Sequence, residues 1–303
     1  MEYAVLEERK NMNILLIGIV ILGIGIALFF LESKRELKTF RVTDYTVSVE
    51  KLKGLTREYR AVFLSDLHNK VYGRDNQPLI DAIRQSKPDL ILIGGDMLIG
   101  KKDISFDAAV SFIRQLPEIA PVYYANGNHE QRMKEHPEIY GNAYMRYREL
   151  LVASGVHFLE NESACMTFDG CRFRVSGFEP PMEGYQKFAN PTDVEEILRE
   201  RFGSVSNDRY EILLAHNPAM EVSYRSWGAH LTLSGHLHGG IIRLPFIGGL
   251  ITPQAKFFPK YSGEYSKEGN RVMIVSKGLG THTVNIRFCN PAEVIVIHFN
   301  SIS

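Results

Sequence analysis

The sequence predicts an α/β protein, two packed sheets with helices outside, preceded by one helix able to cross a membrane. Three observations predict it. The first half alternates strand-like apolar runs with stretches of helical spacing. From Val156 onward, short alternating segments separated by turn residues take over. Near the amino terminus, residues 14–31 carry no charge and are rich in Ile, Leu and Gly. Two sheets packed face to face, with helices on their outer faces, satisfy both halves.

The apolar run comes first. Eighteen uncharged residues just suffice to cross about 30 Å of hydrocarbon as a helix. A core helix would show a polar stripe, and this one shows none. A cleaved signal peptide is the rival reading, but the run ends Phe29-Phe30-Leu31-Glu32-Ser33-Lys34, with no small-x-small site. The expectation is an uncleaved single-pass anchor in the cell membrane, with a tail at 1–13, a charged linker at 32–41 and one domain over 42–303. Arg9 and Lys10 precede the run; Lys34, Arg35, Lys38 and Arg41 follow it. Counting Lys and Arg alone puts the domain in the cytoplasm. The margin is small, and the face of the membrane stays open.

Strands are expected at 41–49 and 59–64, then a helix over 76–85 closed by Lys87-Pro88. Asp89-Leu-Ile-Leu-Ile-Gly-Gly-Asp96 is an unbroken apolar run, as suits a strand covered on both faces. A helix follows at 106–116, a strand at 121–124, and a helix at 143–154 with Gly155 as its carboxyl cap. Beyond lie short strands at 165–168, 171–177, 211–215, 229–234, 271–275 and 294–299, with one helix near 193–202.

Composition excludes some classes. The chain has 303 residues, and Lys+Arg and Asp+Glu balance at 35 each. No global field argues for a nucleic-acid partner. Cys165, Cys171 and Cys289 are an odd count without a CxxC, so neither a disulfide framework nor a thiolate zinc site is expected. Ordinary buried thiols are the expectation. Across an Asp169-Gly170 hairpin turn Phe168 should face Cys171 and Cys165 should face Arg174.

The chemistry gathers where strand-like runs end. In Val122-Tyr-Tyr-Ala-Asn-Gly-Asn-His-Glu130 an apolar run breaks at Gly127, which permits a turn that would lift Asn128 and His129 off the strand side by side. Asp66-Leu-His68, Asp96, His216 and His236-Leu-His238 stand in the same position relative to their own runs. Ligands at the carboxyl ends of strands in an α/β sheet form a site across its edge. The two Asp/His-x-His pairs are expected in extended chain, where residues two apart point the same way. Two carboxylates, one amide oxygen and four imidazoles, with no thiolate, suit divalent Mn, Fe, Zn or Co more than Ca. Seven ligands exceed one tetrahedral site and suit two ions about 3.5–4 Å apart, with Asp96 bridging. Such a pair makes a bridging hydroxide at neutral pH and clamps a phosphoryl group for in-line attack. His129, adjacent to a ligand but not needed as one, is the natural proton donor for the leaving group.

The set Asp66-x-His68, Gly95-Asp96, Gly127-Asn128-His129-Glu130, His216 and Gly235-His236-x-His238 resembles, in order and rough spacing, the signature of calcineurin-like metallophosphoesterases over residues 58–299. The resemblance implies a four-layer α/β/β/α sandwich and a dinuclear centre. It implies that Asp66, His68, Asp96 and His238 hold one ion, that Asp96, Asn128, His216 and His236 hold the other, and that His129 sits over the leaving group. The anchor, Gly239-Gly240-Ile241-Ile242-Arg243-Leu244-Pro245 and Ser276-Lys-Gly-Leu-Gly280 are similar to a bacterial membrane-associated branch. That branch includes phosphodiesterases and enzymes likened to UDP-2,3-diacylglucosamine pyrophosphatase.

The expected function is therefore a dinuclear metal-dependent phosphohydrolase, a phosphodiesterase or pyrophosphatase, with Mn the first choice of metal and a lipid-linked or nucleotide-linked substrate. Residues 241–261, with Leu244, Phe246, Ile247, Leu250, Phe257, Phe258 and Tyr261, read either as a long hairpin on the second sheet or as an apolar loop that touches lipid. Arg132, Lys134, Arg146 and Arg148 read as a solvated helix face or as positive charge for a phosphate. The alternative function is a non-catalytic scaffold of the same fold that binds protein partners at the membrane. Such a scaffold would be expected to lose ligands, and none is missing.

Overall fold

The computed structural model describes residues 2–186, 192–240, 242–244, 248–251, 261–263, 265–281 and 284–301. Helix α1 (Glu2–Glu36) leads into β1 (Phe40–Ser48) and β2 (Tyr59–Leu64). Then come α2 (Gln77–Gln85), β3 (Leu90–Ile93), α3 (Asp107–Ile113), β4 (Val122–Tyr124), α4 (Asn128–Glu135), α5 (Pro137–Tyr140), α6 (Ala143–Val152) and β5 (Val156–Phe158). The second half runs β6 (Glu162–Phe168), β7 (Cys171–Phe178), α7 (Glu195–Phe202), β8 (Arg209–Ala215), α8 (Glu221–Trp227) and β9 (Leu231–Ser234). It ends with β10 (Ile242–Leu244), β11 (Gly248–Ile251), β12 (Tyr265–Glu268), β13 (Arg271–Val275) and β14 (Ala292–Asn300).

The strands form two mixed six-stranded sheets, ordered β1-β14-β2-β3-β4-β5 and β12-β13-β9-β8-β7-β6, with β10 and β11 as a separate ribbon. β2 to β5 run parallel, and β14 enters antiparallel to β2. Leu-Ile-Leu-Ile of β3 is buried throughout, because both faces of this strand are covered. Phe63, Leu92, Ile295 and Ile297 of the first sheet share a core with Phe173, Ile212, Leu214 and Ile274 of the second. Leu79, Ile83, Phe112, Tyr147 and Leu151 pack α2, α3 and α6 on the outer face of the first sheet. Leu198, Phe202, Tyr224 and Trp227 pack α7 and α8 beside the second. The layers are therefore α/β/β/α, as expected.

The β6–β7 hairpin turns on Asp169 and Gly170, both at positive φ, and pairs Phe168 with Cys171 and Cys165 with Arg174. The cysteines are unpaired as expected, but Cys165 and Cys289 are exposed, not buried. Residues 32–41, expected as a linker, are the last turns of α1 and the start of β1. α1 itself outruns 14–31 at both ends. Outside the loop 241–261, five elements lie beyond the sequence expectation: α4, α5, α8, β5 and β12. Of the loop 241–261, the residues of β10 and β11 pair as a short ribbon, while Phe246, Ile247, Phe257 and Phe258 lie outside the described residues.

Candidate metal centre

The polar residues singled out in the sequence meet where β2, β3 and β4 of the first sheet and β8 and β9 of the second reach their carboxyl ends. They do not project from extended chain. Asp66, His68, Asp96, His236 and His238 all have positive φ, between 48° and 71°. That backbone is uncommon for residues with a Cβ and is held only where surrounding structure over-determines it. Here the neighbouring turns brace each other. Asp66 N–H donates to Gly95 O (2.9 Å) and His68 N–H to Asp96 O (3.1 Å). The His236 N–H donates to the Asp66 carboxylate across the two sheets, at 3.0 Å to Oδ1.

Asp96 is set by the first turn of α4. Its N–H donates to Glu130 Oε2 (2.8 Å), and its Oδ1 accepts the His129 N–H (2.8 Å). Glu130 also accepts from Met97 N–H, Gly127 N–H and the Tyr124 hydroxyl, so one buried carboxylate fastens the β3 loop to the β4 loop. Burial and then the Asp96 charge push its carboxyl up to about 7. Gly127 is required for a reason other than a turn: its φ is −91°, and a Cβ there would lie 2.3 Å from Asp96 Oδ1.

Two of the imidazoles are oriented through their second nitrogen. His216 Nδ1 donates to Gly94 O (2.6 Å) and His238 Nδ1 to Gly280 O (3.0 Å), which turns both Nε2 lone pairs inward. His216 Nε2 then lies 3.1 Å from Asp96 Oδ2, and His238 Nε2 lies 3.2 Å from His68 Nε2. Nitrogen and oxygen atoms this close need a proton or a metal ion between them. Without a metal, a proton must serve. Burial alone would push His216 down, but Asp96 and then Asp66 outweigh it and raise the ring to about 10. Burial, with the Asp96 charge and against the pull of His216, pushes Asp66 up to about 6. His216, followed by His129, holds Asp96 well below the usual carboxylate range despite its burial. Burial and then the His216 charge push His236 well down.

Asn128 Oδ1 and His216 Nε2 are buried with no hydrogen-bond partner. Ligand atoms of Asp66, His68 and His238 lie within 4.8 Å of one another, as do those of Asp96, His216 and His236. Orphaned acceptors, two oxygen-and-nitrogen triads and the absence of thiolate together fit divalent cations. His129 falls in a third such group with His68 and Asp96. Its Nδ1, however, accepts the Gly100 N–H at 2.8 Å, which leaves the ring proton on Nε2. A protonated nitrogen offers no lone pair to a metal.

Of the four cations considered for phosphate, Lys134 pairs with Glu179 (2.8 Å) and Glu160 (3.2 Å), and Arg148 with Glu160 (2.8 Å). Sequence reasoning gave no role to Glu130, although it lay inside the quoted motif, three residues after Gly127, at the spacing of a capping box. It also missed Tyr185. The Tyr185 ring stands edge-on to His236, with centroids 5.0 Å apart, and its hydroxyl is buried without a hydrogen-bond partner.

Fold and donor set together define a phosphoester hydrolase of the metal-dependent kind. The family model described as calcineurin-like phosphoesterase matches residues 59–240, and the chain belongs to that family, whose members are dinuclear metal enzymes. Among its relatives, the uncharacterised metallophosphoesterase YkuE of Bacillus subtilis is 28% identical over 86% of this chain and 85% of that protein. Phosphodiesterase YaeI of Escherichia coli is 28% identical over 74% of this chain and 76% of its own length. An uncharacterised metallophosphoesterase of Aquifex aeolicus is 27% identical over 88% of this chain and 94% of that protein.

Proposed function

We propose that this chain is a membrane-anchored phosphohydrolase that uses two divalent metal ions to cleave a phosphodiester or pyrophosphate, with a lipid-linked or nucleotide-linked substrate. The observation that carries the reading is the convergence of Asp66, His68, Asp96, Asn128, His216, His236 and His238, from both sheets, with lone pairs facing one another. The two compact triads support assigning Asp66, His68 and His238 to one ion and His216 and His236, with Asn128, to the other. Asp96 would serve both, since its Oδ2 lies 3.1 Å from His216 Nε2 and 3.9 Å from His68 Nε2. Bound there, Mn, Fe, Zn or Co would supply a nucleophile at neutral pH and a clamp for phosphoryl oxygens. His129 Nε2–H donates a hydrogen bond to the oxygen on which charge develops as the ester bond breaks. Full proton delivery from this ring requires a second proton on it and release of the Gly100 N–H.

Phosphodiesterase YaeI supports the diester class by similarity. The anchor rests on α1, whose stretch Arg9–Glu36 is long and apolar enough to cross a bilayer. Its carboxyl end is built into the domain, with Ser33 and Glu36 buried and the Phe29 ring 4.8 Å from Phe288. This packing supports an uncleaved anchor.

Metal-free protein should be inactive on an aryl phosphodiester, and Mn should restore turnover. Asp96→Ala and Asn128→Ala should abolish the recovery, and robust metal-free activity in either variant would sink the proposal. Metal-loaded protein screened against phosphomonoesters, phosphodiesters and nucleotide-diphospho-lipids then fixes the substrate class.

A further inference from the structure

We infer that the carboxyl end of α1 is a positioning element for the metal ligand His238, acting through the turn formed by residues 287–290. This rests on the reading of His238 as a ligand. Two side chains in the last turns of α1 accept the backbone N–H groups at the two ends of that turn: Ser33 Oγ from Arg287 (3.2 Å) and Glu36 Oε2 from Asn290 (2.9 Å). Ser33 and Glu36 are 3% and 2% exposed, at the end of a helix whose apolar stretch is exposed apart from Phe29.

The side chains of the same two residues then grip His238 from opposite ends. Asn290 Nδ2 donates one hydrogen to His238 O (2.7 Å) and the other to Gly240 O (2.6 Å), fixing the backbone that carries the imidazole. Gly239 lies between those carbonyls at φ +72°, and a Cβ there would sit 2.1 Å from Asn290 Oδ1, so the amide fills the hollow of the turn. The Arg287 guanidinium, fully buried, donates to the carbonyls of Asn290, Lys277, Gly278 and Gly280, at 2.8–3.1 Å. The last of these, Gly280 O, accepts His238 Nδ1–H and so sets the direction of Nε2. Backbone and ring of one ligand are thus fixed by a single turn, and that turn is fixed by the membrane-proximal helix.

Removing an outer partner of a metal ligand typically weakens metal binding 10–100-fold. The test uses the full chain in detergent, stripped of metal and titrated with Mn or Co against a competing chelator. The visible spectrum of the Co-loaded protein and the thermal midpoint of the metal-free protein are recorded alongside. Asn290→Ala should lose about 10–100-fold in affinity and alter the Co spectrum. Glu36→Ala should move both readouts the same way by less, and Glu36→Gln, which keeps an oxygen acceptor for the Asn290 N–H, should restore them. A merely structural role would lower the thermal midpoint and leave the affinity and spectrum of the folded fraction unchanged, which would overturn the inference. If Asn290→Ala does not fold, the Glu36 pair decides: identical, wild-type metal binding in both refutes it. His238→Ala separates the two levels. If it loses metal while Asn290→Ala and Glu36→Ala do not, only the positioning role falls. If His238→Ala binds metal like the wild type, the ligand assignment falls as well.

Discussion

At position 216 one ring nitrogen is committed to Gly94 O and the other faces Asp96 Oδ2 at 3.1 Å. That arrangement is repulsive between a neutral imidazole and a carboxylate, and attractive once a cation joins them. His129 is the informative contrast, because its committed nitrogen is an acceptor and its inward nitrogen keeps the proton. His129→Ala should therefore leave metal content unchanged, by elemental analysis, and slow turnover by about 10²–10⁴-fold on poor leaving groups. His129→Gln, with an amide N–H in place of Nε2–H, should recover part of the loss. Metal lost from His129→Ala would make that residue a ligand instead. The seven candidate donors and His129 stood out because polar residues cut off apolar runs, with a glycine beside Asp96, Asn128, His236 and His238. Glu130, Arg287 and Asn290 did not, because what they hold is backbone. The Asp96 N–H is 34 residues from Glu130, and the His238 carbonyl is 52 from Asn290. A backbone partner leaves no residue type for a sequence to show.

Among the elements, α4 carries the densest set of duties. Its first turn presents Asn128, contributes the His129 N–H to Asp96, and places the Glu130 carboxylate under four backbone donors and the Tyr124 hydroxyl. Glu130→Gln keeps the shape but replaces one acceptor oxygen with a donor that faces other donors. It should cost about 1–3 kcal/mol in urea unfolding, and a variant as stable as the parent would show that the carboxylate is not needed as a double acceptor. α4 escaped the sequence reading because Asn-His-Glu-Gln-Arg-Met-Lys-Glu has no apolar stripe: its first turn is buried by the site and not by periodicity. α8 and β5 escaped because seven and three residues are too short to show a period, whereas β2 and β13 matched residue for residue. The β8–β9 edge makes a pH prediction. His230 Nδ1 accepts the Glu211 N–H (2.9 Å), so the ring must stay neutral there. Burial, then Lys51 and Arg271, push it down to about 4. The folded pKa lies below the unfolded value, so this contribution is complete above about pH 6.5. It is lost as pH falls from there to about 4. For this partly solvated ring the loss should be about 1–2 kcal/mol. His230→Asn should show a correspondingly smaller fall in unfolding free energy over that interval, and identical pH slopes in the two proteins would refute it.

Over the whole molecule, the two sheets touch through an apolar middle layer and again at one edge, where the donors lie. Asp66, His68, Asp96 and Asn128 belong to the first sheet, and His216, His236 and His238 to the second. Among the described residues, direct polar links there include His236 N–H to the Asp66 carboxylate, His216 Nδ1 to Gly94 O, Gly280 N–H to Asp66 O and Leu279 N–H to Ser65 O. Cations bound among these groups would bridge the sheets, and such a bridge would exist only in the folded state. Binding to the folded state alone stabilises by about 2.7 kcal/mol when free metal is a hundred times its Kd. At about 2–4 °C per kcal/mol for a domain of this size, metal should raise the thermal midpoint by roughly 5–11 °C. Chelation should reverse the shift. Asp96→Ala, which removes the residue shared by both halves of the cluster, should start from a changed midpoint and gain little from added metal. If the wild-type chain unfolds at one temperature with and without metal, the donors do not bind cations across the sheets. Their mutual repulsion must then be relieved by protons alone, with His216 charged beside Asp96 as its raised pKa of about 10 allows.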